Sequence, residues 1–79
     1  MEIKVLGTGC AKCKMLEDRV RNVCANNNIT ANIEKVSELP EIMKYGIMMT
    51  PGLVVNGKVV HYGSVPNEKD ILKWIGEAK

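Results

Sequence analysis

The motif Cys10-Ala11-Lys12-Cys13 directly follows an apolar segment, residues 2–6, and a short turn with two glycines. This pattern predicts a strand that ends at the turn and a helix that begins at or just before Cys10. On such a helix the two cysteines share one face, with Cβ atoms about 5–6 Å apart, which is close to the span of a disulfide. We therefore expect a dithiol that opens and closes with little movement of the backbone.

Cys10 is expected to be the more readily ionised of the two thiols. It would lie at the N-terminus of the helix, where unpaired N–H groups and the helix dipole favour a negative charge. Lys12 and Lys14 add positive charge nearby. Because the thiolate is the nucleophilic form of cysteine, Cys10 is the candidate nucleophile and Cys13 the candidate resolving thiol.

The same motif also occurs in metal sites, where it supplies two of the ligands. A closed zinc site needs four ligands, and the chain offers one further cysteine, Cys24, and one histidine, His61. If residues 11–27 form one helix, Cys24 lies about 16 Å along its axis from Cys13, too far to share an ion or a disulfide. Cys24 falls instead on the apolar face of that helix, as a buried thiol. A two-thiolate site for Cu(I) or another soft ion stays open.

Turn and cap residues divide the chain into seven elements in the order β-α-β-α-β-β-α. Asn56-Gly57 between two Val-rich segments predicts an antiparallel hairpin, and Asn67 followed by Asp70 predicts the start of the last helix. The predicted elements are strand 2–6, helix 10–27, strand 29–34, helix 41–45 ended by Gly46, strands 53–55 and 58–62, and a helix after Asn67 with an apolar face of Ile71, Leu72, Trp74 and Ile75. The first two strands should be parallel because a helix joins them. We expect an α/β fold with a four-stranded mixed sheet and helices on both faces.

Length and charge limit the classes of function. The chain has 79 residues, which suits one domain over residues 1–79. A net charge of +2 with basic residues spread along the chain favours neither a nucleic-acid partner nor a membrane surface. The N-terminus lacks the features of a signal peptide, and no apolar segment is long enough to span a bilayer. We therefore expect a cytoplasmic monomer, and in that reducing compartment such a motif is typically catalytic or metal-binding.

These features together resemble the thioredoxin superfamily, most of all its small glutaredoxin-like and archaeal-type redox-active disulfide proteins. The resemblance covers nearly the whole chain. It is carried by Gly9-Cys10-Ala11-Lys12-Cys13 after the first strand, by Thr50-Pro51 before the third strand, and by the Val-rich hairpin that Gly63 and a terminal helix follow. It implies a thioredoxin-like fold in which the Thr50-Pro51 peptide bond is cis and lies beside the two cysteines.

The resemblance also implies an activity, that of a thiol-disulfide oxidoreductase of the protein-disulfide reductase type. Cys10 and Cys13 would be its catalytic residues, while Thr50 and Pro51 would bind the substrate, with the Thr50 backbone holding the substrate chain. The implied partners are disulfide-containing proteins as substrates and a reductase as electron donor.

The chain departs from the family pattern at four places. No Trp precedes Cys10, and Ala11-Lys12 replaces the Gly-Pro or Pro-Tyr that typical members have between the cysteines. Lys4 stands where thioredoxins often place a buried carboxylate. The residues Tyr62-Gly63-Ser64 are all that corresponds to the glutathione site of glutaredoxins, so we expect no glutathione and no other cofactor. Soft-metal carriage is the alternative, as in heavy-metal-associated domains, although those end in a strand. A redox-inert interaction module is a third hypothesis.

Three methionines and the histidine lie close to these motifs. Met15, two residues after Cys13, has two interpretations, a copper ligand or a packing residue; packing is predicted, because methionines on amphipathic helices commonly pack within the fold. Met48 and Met49 precede Thr50-Pro51, and two interpretations are open for them, an adaptable docking surface next to the disulfide or simple filling of the core. His61 is predicted to be a solvated or edge residue of the hairpin.

Overall fold

A computed structural model describes residues 1–9 and 11–78 of the chain. The elements follow the predicted order β-α-β-α-β-β-α. They are β1 (Glu2–Leu6), α1 (Ala11–Asn26), β2 (Asn32–Val36), α2 (Leu39–Met43), β3 (Gly52–Val55), β4 (Lys58–Tyr62) and α3 (Glu68–Glu77). The predicted start of the first helix at Cys10 lies outside the described residues.

The four strands form one mixed sheet in the spatial order β2-β1-β3-β4. Strand β1 pairs with β2 in parallel and with β3 in antiparallel orientation. Strands β3 and β4 form the predicted hairpin, in which Asn56 and Gly57 have φ angles of 50° and 84°. Two successive positive φ angles are what a type I′ turn requires, so the Asn-Gly prediction is confirmed.

Helices cover both faces of the sheet, as predicted. On one face, Ile3 and Val5 of β1 pack with buried residues of α1 and α3, including Leu16 and Ile71. On the other face, Leu6, Val54, Ile42 and Ile47 form a second, smaller cluster with α2. The alternation of strand side chains between the two faces thus divides the core into a larger and a smaller part.

Strand β2 begins three residues later than the predicted strand 29–34. Asn28 has a left-handed φ of 54°, and the N–H of Ile29 donates to the carbonyl of Cys24 at 2.9 Å, so these residues cap the end of α1. The strand starts where the N–H of Asn32 donates to the Met1 carbonyl at 2.9 Å. The alternation that predicted a strand reflects Ile29 and Ala31 packing on the core.

Helix α2 begins two residues earlier than the predicted helix 41–45. Pro40 lies in its first turn, where a missing N–H costs nothing, and the N–H of Ile42 donates to the Glu38 carbonyl at 3.0 Å. The helix also ends earlier, at Met43, two residues before the predicted end. Gly46 belongs to the turn that follows: it has a φ of 75°, and its N–H donates to the Met43 carbonyl at 3.0 Å.

The start of the last helix is also as predicted. The Asn67 side chain accepts a hydrogen bond from the N–H of Asp70 at 2.8 Å, which satisfies one of the free donors of the first turn. The apolar face of α3 is narrower than predicted because Leu72 is 37% exposed, while Ile71 and Ile75 are fully buried. Among the residues that the structure describes, no helix has both the length and the apolar character needed to cross a membrane.

Candidate dithiol site

One end of the sheet brings together the segments that the sequence singled out. Leu6 pairs with Gly52 across β1 and β3, and Gly52 pairs with Tyr62 across β3 and β4. Continuing the β1–β3 register by one residue places Gly7 opposite Pro51. The N–H of Gly63 donates to the Pro51 carbonyl at 2.9 Å. Three segments therefore meet at the same end of the sheet: the turn before the cysteines, Thr50-Pro51 and Gly63.

Cys13 is a buried cysteine in the first turn of α1. Its side chain is only 1% exposed, and its sulfur is disulfide-bonded. The backbone of Gly7 lies directly against it: a Cβ atom on Gly7 would lie 2.7 Å from the Cys13 Cβ and would also collide with its Sγ. Gly7 is therefore the residue that lets β1 approach the sulfur.

The role of Gly7 was missed in the sequence, where it indicated only the end of the first strand. Its φ is not positive, in contrast to Gly9 at 92°, so its conformation does not require glycine. The requirement comes from a contact with a residue six positions further on. A glycine placed between a strand and a C-x-x-C motif is the one available signal for such a close approach.

Cys10, the candidate nucleophile, lies outside the described residues. The residues on either side of it, Gly9 and Ala11, are exposed, as is Lys12. The predicted difference in reactivity between Cys10 and Cys13 stays a prediction.

The Thr50-Pro51 peptide bond is cis, as the resemblance implies. Pro51 is less than 2% exposed, whereas Thr50 is half-buried. Within residues 1–9 and 11–78, no backbone hydrogen bond involves the N–H or the carbonyl of Thr50. Among the described residues, the Thr50 backbone thus has no hydrogen-bond partner, and it lies next to a buried proline.

Three methionines form an exposed apolar rim beside Thr50. Met48 is 96% exposed, Met43 69% and Met49 60%. The hypothesis that Met48 and Met49 fill the core is wrong, and so is the prediction that Met15 packs, because Met15 is 47% exposed. The sequence analysis did not single out Met43, which lies within both the predicted helix 41–45 and α2.

An apolar groove lies between α2 and the loop that leads to Thr50. Its volume is about 300 Å³. We call it the methionine groove; its lining residues are Leu39, Ile42, Met43, Ile47, Met48 and Thr50. Because Thr50 belongs both to the groove and to the unpaired backbone segment, the two features are continuous.

Lys4 lies on the α2 side of the sheet. Its side chain contributes to a polar cavity of about 380 Å³ that also contains Glu34 and Tyr45. A hydrogen bond with Tyr45 raises the pKa of Lys4, and the charges of Tyr45 and Glu34 act in the same direction. Lys4 therefore stays a protonated amine in this cavity.

His61 is an edge residue of the hairpin, as predicted. Its ring nitrogen Nε2 lies 2.8 Å from the Ser64 hydroxyl oxygen. Its ring stacks on that of Trp74 with centroids 5.3 Å apart. These contacts join β4 to α3 and give His61 a structural role.

Cys24 is a free thiol in the larger part of the core, as predicted. It is 6% exposed, and burial raises the pKa of its thiol by disfavouring the charged thiolate. Among the described residues, no group of three or more His, Cys, Asp or Glu side chains could hold a metal ion.

We expect the Cys24 thiol to resist alkylation in the folded protein, because both its access and its thiolate fraction are reduced. In a timed iodoacetamide reaction of the reduced protein at pH 8, Cys10 should be labelled at least about tenfold faster than Cys24, as measured by mass spectrometry. Unfolding in guanidinium chloride should remove this difference. Equal labelling of the two thiols in the folded protein would show that Cys24 is not protected.

Comparisons with known proteins agree on one family. The sequence profile of the family described as "Thioredoxin domain" matches residues 1–76. A thioredoxin of Methanothermobacter thermautotrophicus is 38% identical over 73 residues, which cover 92% of this chain and 95% of the relative. A thioredoxin of Methanocaldococcus jannaschii is 32% identical over 69 residues, covering 87% and 79% of the two chains. The solution structure of oxidised thioredoxin from Plasmodium falciparum has the same fold, with a TM-score of 0.60 at 20% identity over 96% of this chain and 78% of that chain.

Proposed function

The chain belongs to the thioredoxin domain family and is a small thiol-disulfide oxidoreductase, and on that premise we propose that Cys10 and Cys13 are its catalytic pair. The observation that carries this proposal is the burial of a disulfide-bonded Cys13 against Gly7. We infer that Cys10, its neighbour in the motif, is the other half of that disulfide.

Exchange begins from the reduced pair. The Cys10 thiolate attacks one sulfur of a disulfide in the partner protein, and the partner's other sulfur leaves as a thiolate that takes up a proton. The Cys13 thiolate then attacks the Cys10 sulfur of the mixed disulfide. The second partner thiol is released, and Cys10 and Cys13 are left oxidised. Burial of Cys13 supports this division of roles, because a thiol under Gly7 is out of reach of an external disulfide.

Thr50 and Pro51 are proposed to hold the substrate chain. The Thr50 N–H and carbonyl have no backbone partner in the described part of the chain, so an extended substrate segment can pair with them as an added strand. Pro51 donates no hydrogen bond, and its carbonyl is already bonded to Gly63. The free hydrogen-bonding groups at this point therefore belong to Thr50.

The proposed partners are disulfide-containing proteins as substrates and a reductase that returns electrons to the oxidised pair. We further propose that the protein works in the cytoplasm as a monomer, with residues 1–79 forming one domain. A reducing compartment suits a dithiol that must be reduced again after each cycle.

A redox titration combined with metal analysis tests this function. The purified protein should show a two-electron transition with a slope of about 30 mV per tenfold change in the ratio of oxidised to reduced form. Cys10→Ser and Cys13→Ser should each lack the transition, whereas Cys24→Ser should retain it. No copper or zinc should copurify in stoichiometric amount. A chain that carries one soft metal ion and shows no such transition would instead be a metal carrier.

A further inference from the structure

We propose that Met48 is a reversible oxidation site, and that its sulfoxide lowers the access of protein disulfides to the dithiol through the methionine groove. This inference rests on the proposed function, since it concerns how the substrate chain reaches the same site. Oxidation of Met48 would regulate disulfide exchange at a residue near the cysteines, without modifying the cysteines themselves.

Met48 is the most accessible sulfur-bearing side chain among the described methionines. It is 96% exposed, compared with 69% for Met43, 60% for Met49 and 47% for Met15, while Met1 packs partly against the core. A thioether that solvent surrounds on nearly every side meets a dissolved oxidant without any opening of the fold. Among these methionines, Met48 should therefore be oxidised first.

The position of Met48 links its oxidation to the site. It lines the methionine groove together with Thr50, whose backbone is free to pair with a substrate chain. An extended chain paired at Thr50 directs alternate side chains to the same side, and the groove lies next to that path. Its volume of about 300 Å³ is at the small end of ligand pockets. We infer that its occupant is an apolar side chain of the disulfide substrate.

The oxidant is a hydroperoxide, and the step is a two-electron transfer of oxygen. The Met48 sulfur attacks the terminal peroxide oxygen, an S–O bond forms and the O–O bond breaks. The sulfur is oxidised to the sulfoxide, and the peroxide is reduced to an alcohol, or to water when it is hydrogen peroxide. The proton of the transferred oxygen goes to the leaving oxygen. A thiol-dependent methionine sulfoxide reductase reverses the change.

The sulfoxide changes the character of the groove. It replaces an apolar thioether by a strongly polar S=O group, and the other groove side chains are apolar except for the Thr50 hydroxyl. Water must then be removed from the sulfoxide before an apolar side chain can enter, and little in the groove can replace its hydrogen bonds. A small disulfide that does not reach the groove is unaffected.

The test oxidises the protein in its disulfide form with hydrogen peroxide, so that the catalytic sulfurs are protected while methionines react. Mass spectrometry locates the sulfoxides, and dithiothreitol then restores the dithiol. Reduction of insulin should slow by about threefold to tenfold relative to untreated protein. Reduction of hydroxyethyl disulfide should change by less than about 1.5-fold. Treatment with methionine sulfoxide reductase should restore the insulin rate.

Two variants identify the methionine responsible. Met48→Leu keeps an apolar side chain without the oxidisable sulfur. At the peroxide dose that oxidises only Met48 in the unsubstituted protein, its insulin rate should stay within about 1.5-fold of its own untreated rate. Met15→Leu is the matched control, because Met15 does not line the groove; it should lose the insulin rate as the unsubstituted protein does.

Three outcomes would overturn the inference. They are an equal loss in Met48→Leu, a parallel loss for hydroxyethyl disulfide, and peroxide-dependent dissociation of a dimer in sedimentation velocity, which would identify a second copy as the occupant of the groove. Each of these leaves the untreated activity intact. Failure of the proposed function is different, since untreated protein would then reduce neither disulfide.

Discussion

A Cys13→Ser variant is expected to accumulate covalent complexes with its disulfide-containing partners, whereas a Cys10→Ser variant accumulates few. In the first variant the attack by Cys10 still forms the mixed disulfide, but the resolving thiol is missing. In the second variant the nucleophile is missing, and the remaining thiol of the pair is 1% exposed against Gly7. The yield of complexes should differ by at least about tenfold.

Non-reducing gels of a cell extract passed over each immobilised variant measure this difference, and dithiothreitol should release the captured proteins. Both variants are best made together with Cys24→Ser, so that no third thiol contributes. Cys24→Ser alone is the control and should retain few proteins, because it still resolves its mixed disulfides. Equal capture by both variants, or capture by neither, would contradict the assigned roles.

Replacing Gly7 by Ala is expected to disrupt the close contact between β1 and Cys13. The added methyl group would lie 2.7 Å from the Cys13 Cβ and against its Sγ. Neither atom can move away easily, because Cys13 belongs to the first turn of α1 and its sulfur is held in a disulfide. The free energy of unfolding should fall by about 1–3 kcal/mol, a large fraction of the stability of a domain of this size.

Thermal or urea unfolding measures this loss, and insulin reduction should slow in the same variant as the strand is pushed away from Cys13. Gly76→Ala is the matched control. The same methyl group on α3 meets no atom within 4 Å, and alanine should stabilise the helix by about 0.5–1 kcal/mol. A Gly7→Ala protein as stable as the unsubstituted one would show that the strand and Cys13 are not in close contact.

Local rules of sequence predicted the parts of the fold that depend on neighbouring residues. The turn at Asn56-Gly57 and the cap that Asn67 gives to Asp70 both need only a few consecutive residues, and both are as predicted. The ends of β2 depend on pairing with β1 from the start of the chain, as the bond from Asn32 to Met1 shows. Apolar alternation near Ile29 could not reveal that partner.

The candidate site shows the same limit. The segments that meet there were identified from the C-x-x-C motif, Thr50-Pro51 and Gly63. The part played by Gly7 depends on the depth at which Cys13 is buried, which spacing does not encode. Likewise, the apolar character of Met48 was consistent with burial or with docking, and only the path of the loop after α2 shows that the side chain is exposed.

The two outer strands of the sheet, β2 and β4, have features that discourage another chain from pairing with them. In β4 the pairing with β3 shifts between Leu53 and Val54, and such a bulge bends an edge strand and interrupts its ladder. On the other side, β2 presents Glu34 and Lys35, both exposed, and charges at an edge discourage the addition of another chain. Both outer strands of the sheet are therefore poor templates for the addition of another chain. Under the proposed function, an extended substrate chain would pair instead at Thr50, whose backbone has no hydrogen-bond partner among the described residues.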